Sequence, residues 1–156
     1  MSLQYIEKHI VPDNPQMFAS YSYASTRAKL SGALLTLENY SIFSGLTLKI
    51  AGRIYTPNVC VYPKRVIDIS LPDEGEIDED MPVLAVEILS NTQNVQDILN
   101  RFDVFFSATI KSCWLIIPVA ATVIVYKSLR HAKRFSNGNI IDEQLNIELP
   151  IEKIFG

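Results

Sequence analysis

Val83-Leu84-Ala85-Val86-Glu87-Ile88-Leu89-Ser90 is the stretch on which the fold turns. An apolar run of this length, ending at the helix-start residues Ser90-Asn91-Thr92, reads as a strand buried on both faces that leads into a helix. One carboxylate interrupts it. A lone ionised Glu in such a strand is costly unless a metal, another cation or hydrogen-bond donors compensate it. Glu87 is therefore the residue most expected to carry chemistry.

Before this strand, residues 1–15 read as an irregular arm broken by Pro12-Asp13-Asn14-Pro15. From residue 16 to about 37, Leu30, Ala33, Leu34 and Leu37 recur at helical spacing. Gly32 and the Ser/Tyr-rich entry at 20–25 weaken that pattern. Residues 41–50 alternate as a strand, with Ile42, Leu46, Leu48 and Ile50 on one side. Ala51-Gly52-Arg53 reads as a turn, and residues 54–62 as the partner strand of a hairpin. Residues 67–71 fit a further short strand or a loop. Residues 71–82 carry Asp73, Glu74, Glu76, Asp78, Glu79 and Asp80. That run reads as a solvated loop. It lacks the alternating ligands and closing Glu of an EF-hand.

After it, a helix is expected from about 94 to 107, with Val95, Ile98, Leu99, Phe102, Phe105 and Phe106 as its apolar face. Asp97 and Arg101 stand four apart on one face of that helix. Residues 112–117 form another buried strand, Pro118-Val119-Ala120-Ala121 turns the chain, and 122–126 returns as a strand. Lys127, Arg130, His131, Lys133 and Arg134 make the one basic cluster, and Asn137-Gly138 is a hairpin-turn signal. The tail, 145–155, reads as a final strand and a short docking segment. The order of elements implies a mixed α/β (α+β) single domain over 1–156, with one central sheet.

With 156 residues, of which 48% are hydrophobic, the chain can bury a sizeable core without disulfides. A net charge of −3 gives no general attraction to nucleic acid, although a local basic patch remains compatible with it. Cys60 and Cys113 lie in apolar runs whose spacing fits no zinc pattern, so reduced core thiols are expected. The longest central apolar run, 113–125, is broken by Pro118 and too short to span a membrane. No leader segment is visible, and a cytoplasmic location is the expectation.

Pro57-Asn58-Val59-x-Val61, then Val86-Glu87-Ile88-Leu89-Ser90, then Asp97 with Arg101, then Cys113-Trp114-Leu115-Ile116 and Thr122-Val123-x-Val125-Tyr126 together resemble the Uma-two family. That family is grouped with restriction endonucleases in the PD-(D/E)XK nuclease superfamily. The resemblance covers roughly 40–127 and implies a restriction-endonuclease-like sheet flanked by two helices, with a metal site at the strand ends. Its implied reaction is Mg²⁺- or Mn²⁺-dependent hydrolysis of DNA, the cation being held by carboxylates. It places Glu87 at the family's strand glutamate and Asn58 at its aspartate, making these the expected metal ligands. Leu89 takes the superfamily's lysine position. Arg101 matches the lysine that the family carries on the following helix, with Glu87 and Arg101 as the expected catalytic pair. Asp97, Phe105 and Trp114 match recurrent family residues.

The departures define a second expectation. Asn58 offers a carbonyl oxygen but no charge, and Arg101 cannot serve as a neutral base. The family's histidine near the first helix start is missing, Ser25 and Thr26 lying in that region. Whether Glu38, Asp68 or Asp97 replaces the missing carboxylate is left open. The alternative to an active or weakened endonuclease is a catalytically degenerate copy that serves as a binding or assembly module. Either form suits a homodimer. Blander roles stand beside these. Arg101 could simply neutralise Glu87, or pair with Asp97 on the helix surface. Ser90 could cap a helix, Trp114 could be core, and His9, His131 and the basic cluster could be solvated.

Overall fold

The run at 83–90 does form the central strand. The computed structural model describes residues 20–70 and 80–156, so the expected arm at 1–15 and most of the acidic stretch lie outside the described residues. In chain order the elements are α1 (Tyr21–Leu34), β1 (Tyr40–Ser44), β2 (Leu48–Ile50), β3 (Arg53–Tyr55), β4 (Val59–Pro63) and β5 (Leu84–Ile88). They continue with α2 (Val95–Ser107), β6 (Ser112–Ile117), β7 (Thr122–Ser128), β8 (His131–Phe135), β9 (Asn139–Asp142), β10 (Ile147–Pro150) and α3 (Glu152–Phe155).

A six-stranded sheet runs β1-β4-β5-β6-β7-β8. Only β5 and β6 are parallel, and α2 makes the crossover that parallel neighbours need. All five residues of β5 are buried, because helices cover both faces. Alternation then sorts the side chains. Val86 and Ile88 join Leu30, Leu34, Val59 and Trp114 in the core under α1. Ala85 joins Cys60, Cys113, Leu115, Ile98, Phe102 and Phe105 in the core under α2.

Both helices follow from local sequence. In α1, Tyr23, Thr26, Leu30, Ala33 and Leu34 are buried, a stripe at helical spacing, and the Ser20 hydroxyl accepts from the Tyr23 amide as N-cap. The helix stops at Leu34, so Leu37 packs from the following turn. In α2 the cap is Asn94, whose side chain accepts from the Asp97 amide at 2.9 Å. Ser90, the expected cap, instead engages Thr92 and Gln93.

The structure corrects two local expectations and decides a third between its two alternatives. The long hairpin over 41–62 is broken in two. β1 pairs with β4 in the main sheet, while β2 and β3 form a separate ribbon closed by Ala51-Gly52, both at positive φ. Gly45, at φ 70°, and Pro57, which lacks an N–H, mark the break. Residues 67–70 form no strand. Asn137-Gly138 closes no hairpin, since β8 pairs only with β7 and β9 pairs with β10. This turn carries the chain from the sheet edge into a two-stranded lid over the α1 face. The lid is tied down by the Trp114 indole, which donates to buried Asp142 at 2.9 Å.

Candidate functional site

The start of β4, the end of β5 and the middle of α2 meet at one end of the sheet. β4 and β5 are antiparallel, with Val59 opposite Val86. One further step in that register puts Asn58 across from Glu87. Glu87 has the parity of Ala85, so its carboxylate faces α2. There Arg101 Nη2 donates to Glu87 Oε1 at 2.7 Å. The guanidinium also lies 5.8 Å from the Tyr55 and Phe105 ring centroids, which hold it over the carboxylate. Asp97, the alternative partner, is exposed one turn earlier, and no ion pair joins it to Arg101.

Asn58 is buried and engaged at both ends of its amide. Its Oδ1 accepts from the Ile88 amide at 2.8 Å, and its Nδ2 donates to the Tyr23 hydroxyl. Tyr23 is a site residue that the sequence reading missed. Its signal was the spacing of Tyr23, Thr26 and Leu30 along one helical stripe. Arg27, one turn further along α1, donates to Ser44 Oγ at 3.2 Å, at the same end of the sheet. Burial raises the Tyr23 pKa above the ordinary phenol value, against the lowering effects of Asn58 and Arg27.

Electrostatics at Glu87 are a contest between burial and pairing. The carboxylate is 1% exposed above the apolar layer of Cys60, Ala85 and Cys113. Desolvation pushes its pKa up to about 7, and the charge and hydrogen bond of Arg101 only partly offset this. Burial wins because the guanidinium is 30% exposed and shares its field with water. The same burial, with the nearby Glu87 charge, lifts Cys60 to about 12 and also raises Cys113, so both free thiols stay protonated. Two buried atoms at the centre, Glu87 Oε2 and Arg101 Nε, have no hydrogen-bond partner.

These donors do not fit a divalent cation as they stand. Mg²⁺ and Mn²⁺ want charged oxygen ligands and near-octahedral space. Glu87 offers one free oxygen, Asn58 is neutral and committed, and a fixed guanidinium stands against the carboxylate. Among the described residues no group of three His, Cys, Asp or Glu side chains could hold a metal. Neither Glu38 nor Asp68 supplies the missing charge. Glu38 precedes Tyr40 and Asp68 follows Pro63, and those two residues pair at the opposite end of the sheet.

A mixed sheet between two helices, with an acid on the central strand and a cation on the crossover helix, defines the restriction-endonuclease class of fold. The chain belongs to the Uma2 family, whose model, described as "Putative restriction endonuclease", matches residues 4–152. Among solved structures the chain is similar to a "putative nuclease" from Anabaena variabilis ATCC 29413. The TM-score is 0.69 at 17% identity, over 87% of this chain and 81% of that one. A comparison with curated proteins found no match. Among the described residues no helix is long and apolar enough to cross a membrane.

Proposed function

We propose that this chain is a DNA-engaging member of its nuclease family that has exchanged the divalent-cation centre for an ion pair, and so binds without cutting. The observation that carries this reading is the paired engagement of the two expected metal ligands. Glu87 is held by Arg101 at 2.7 Å, and Asn58 is bound to the Ile88 amide and the Tyr23 hydroxyl. Charge balance supports it. Losing one carboxylate at position 58 leaves a single negative charge, which one guanidinium neutralises. DNA is the proposed partner because the family model is that of a restriction endonuclease and because the near end of the sheet carries basic side chains. The near end presents Arg27 and Arg101, and the β2–β3 ribbon carries exposed Lys49 and Arg53. A homodimer would set two such ends on one duplex, and light scattering would measure it.

A second reading, a weakened Mg²⁺- or Mn²⁺-dependent endonuclease, is favoured by the unpartnered Glu87 Oε2, an oxygen that a cation would accept. Plasmid nicking with Mn²⁺ separates the two, using the native chain, Glu87→Ala and Asn58→Asp. The binding reading expects no nicking by the native chain, with DNA retarded in a gel. Native nicking that Glu87→Ala abolishes would establish the second reading instead.

A further inference from the structure

The basic cluster plays no part in the Glu87 centre. β5 and β6 are parallel, so Ser112 at the start of β6 lies at the opposite end of the sheet from Ile88. There the β7–β8 hairpin and the β9–β10 lid line a half-open pocket of about 730 Å³. That size is in the range of small-molecule sites, which run from about 300 to 1,000 Å³.

Val125, Ala132 and Ile141 give the pocket an apolar wall, Lys127 and Arg130 give it a positive rim, and His131 adds a polar ring. The two acids that line it are already engaged. Asp142 accepts from the Trp114 indole and the Leu145 amide, and Glu143 is paired with Lys133 at 3.1 Å. No ion pair engages Lys127 or Arg130 among the described residues. His131 spends Nδ1 on Ser128 Oγ at 2.9 Å, which leaves its other ring nitrogen for a ligand. On the sheet side stands Ser112, 1% exposed, whose hydroxyl has no hydrogen-bond partner.

The geometry points to a second binding site here, for a phosphate monoester with a flat apolar body, of mononucleotide size. Lys127 and Arg130 meet the phosphate, and the apolar wall takes the ring. This site is separate from the Glu87 centre and does not rest on whether that centre cuts DNA.

The test is calorimetric titration of the native chain with dAMP, inorganic phosphate and adenosine. Saturable dAMP binding is expected, at least about tenfold tighter than either fragment, since body and phosphate contribute together. Lys127→Ala with Arg130→Ala should weaken it at least about tenfold, because two charge-assisted contacts are lost. Both side chains are exposed, so the fold should survive. Lys64→Ala, an exposed cation just after β4, should leave binding unchanged. Phosphate and dAMP binding equally would reduce the site to an anion patch and overturn the proposal. No saturable dAMP binding, or dAMP binding unaltered in the double variant, would also overturn it.

Discussion

The two ends of the central sheet solve the problem of buried polarity in opposite ways. Where β4 begins and β5 finishes, the Glu87 carboxylate pairs with the Arg101 guanidinium and the Asn58 amide with the Tyr23 phenol and the Ile88 amide, leaving only Glu87 Oε2 and Arg101 Nε over. Where β6 begins and β7 finishes, the acids pair off, the Ser112 hydroxyl is buried without a partner, and Lys127 and Arg130 face a pocket. The family resemblance directs attention to the first end, yet its polar groups are largely closed on themselves.

The sharpest way to break this comparison is to remove the cation at the closed end. Arg101→Met strands the Glu87 carboxylate, and the expected loss is about 3 kcal/mol at pH 8, at the low end for a broken buried pair because Arg101 is partly exposed. The loss should shrink at pH 5, where Glu87 takes up a proton. Urea denaturation at both pH values measures it.

The native pH dependence has a definite sign. The folded Glu87 pKa, about 7, lies above its ordinary 4.5, so the folded state holds the extra proton between those values. Stability contributed by this group is full below pH 4.5 and falls as pH rises through 7. The fall amounts to about 3 kcal/mol from a shift of this size. Glu87→Gln should flatten that slope. An unchanged slope would show that the carboxylate is not desolvated as described.

At the open end the matching change is Asp142→Ala, which leaves the Trp114 indole unsatisfied and frees the β9–β10 lid. The expected cost is about 2 kcal/mol, read by urea denaturation. A cost below about 0.5 kcal/mol, within the range of an ordinary surface change, would show that the lid does not depend on this bond.

Much of this was legible in the sequence. β5, α2, β6 and β7 follow from unbroken apolar runs and a strong helical face, and the family resemblance pointed to Glu87 and Arg101, which meet at 2.7 Å. The rest depended on tertiary context. Sequence places Asp97 and Arg101 four apart, but only the sheet shows that Arg101 reaches under β5 while Asp97 faces water. Asn137-Gly138 favours a hairpin locally, but the Trp114–Asp142 bond draws β9 to the lid. Tyr23 was obscured because a Ser/Tyr-rich entry lowers the helical signal, and its role depends on a partner 35 residues away. Gly32 weakens the same helix in open space, so Gly32→Ala should stabilise the fold by about 0.5–1 kcal/mol, the smallest of these effects. Thermal denaturation would detect it.

The central claim is that a guanidinium serves the Glu87 centre in place of a divalent cation. Mn²⁺ uptake, followed by electron paramagnetic resonance of the free aquo ion, tests it most directly. Asn58→Asp should preserve the local bonds, since an aspartate accepts from both the Ile88 amide and the Tyr23 hydroxyl. The account expects no stoichiometric uptake by the native chain, and at least about tenfold tighter binding by Asn58→Asp, from its added charged ligand. One equivalent of Mn²⁺ bound by the native chain and lost in Glu87→Ala would contradict it.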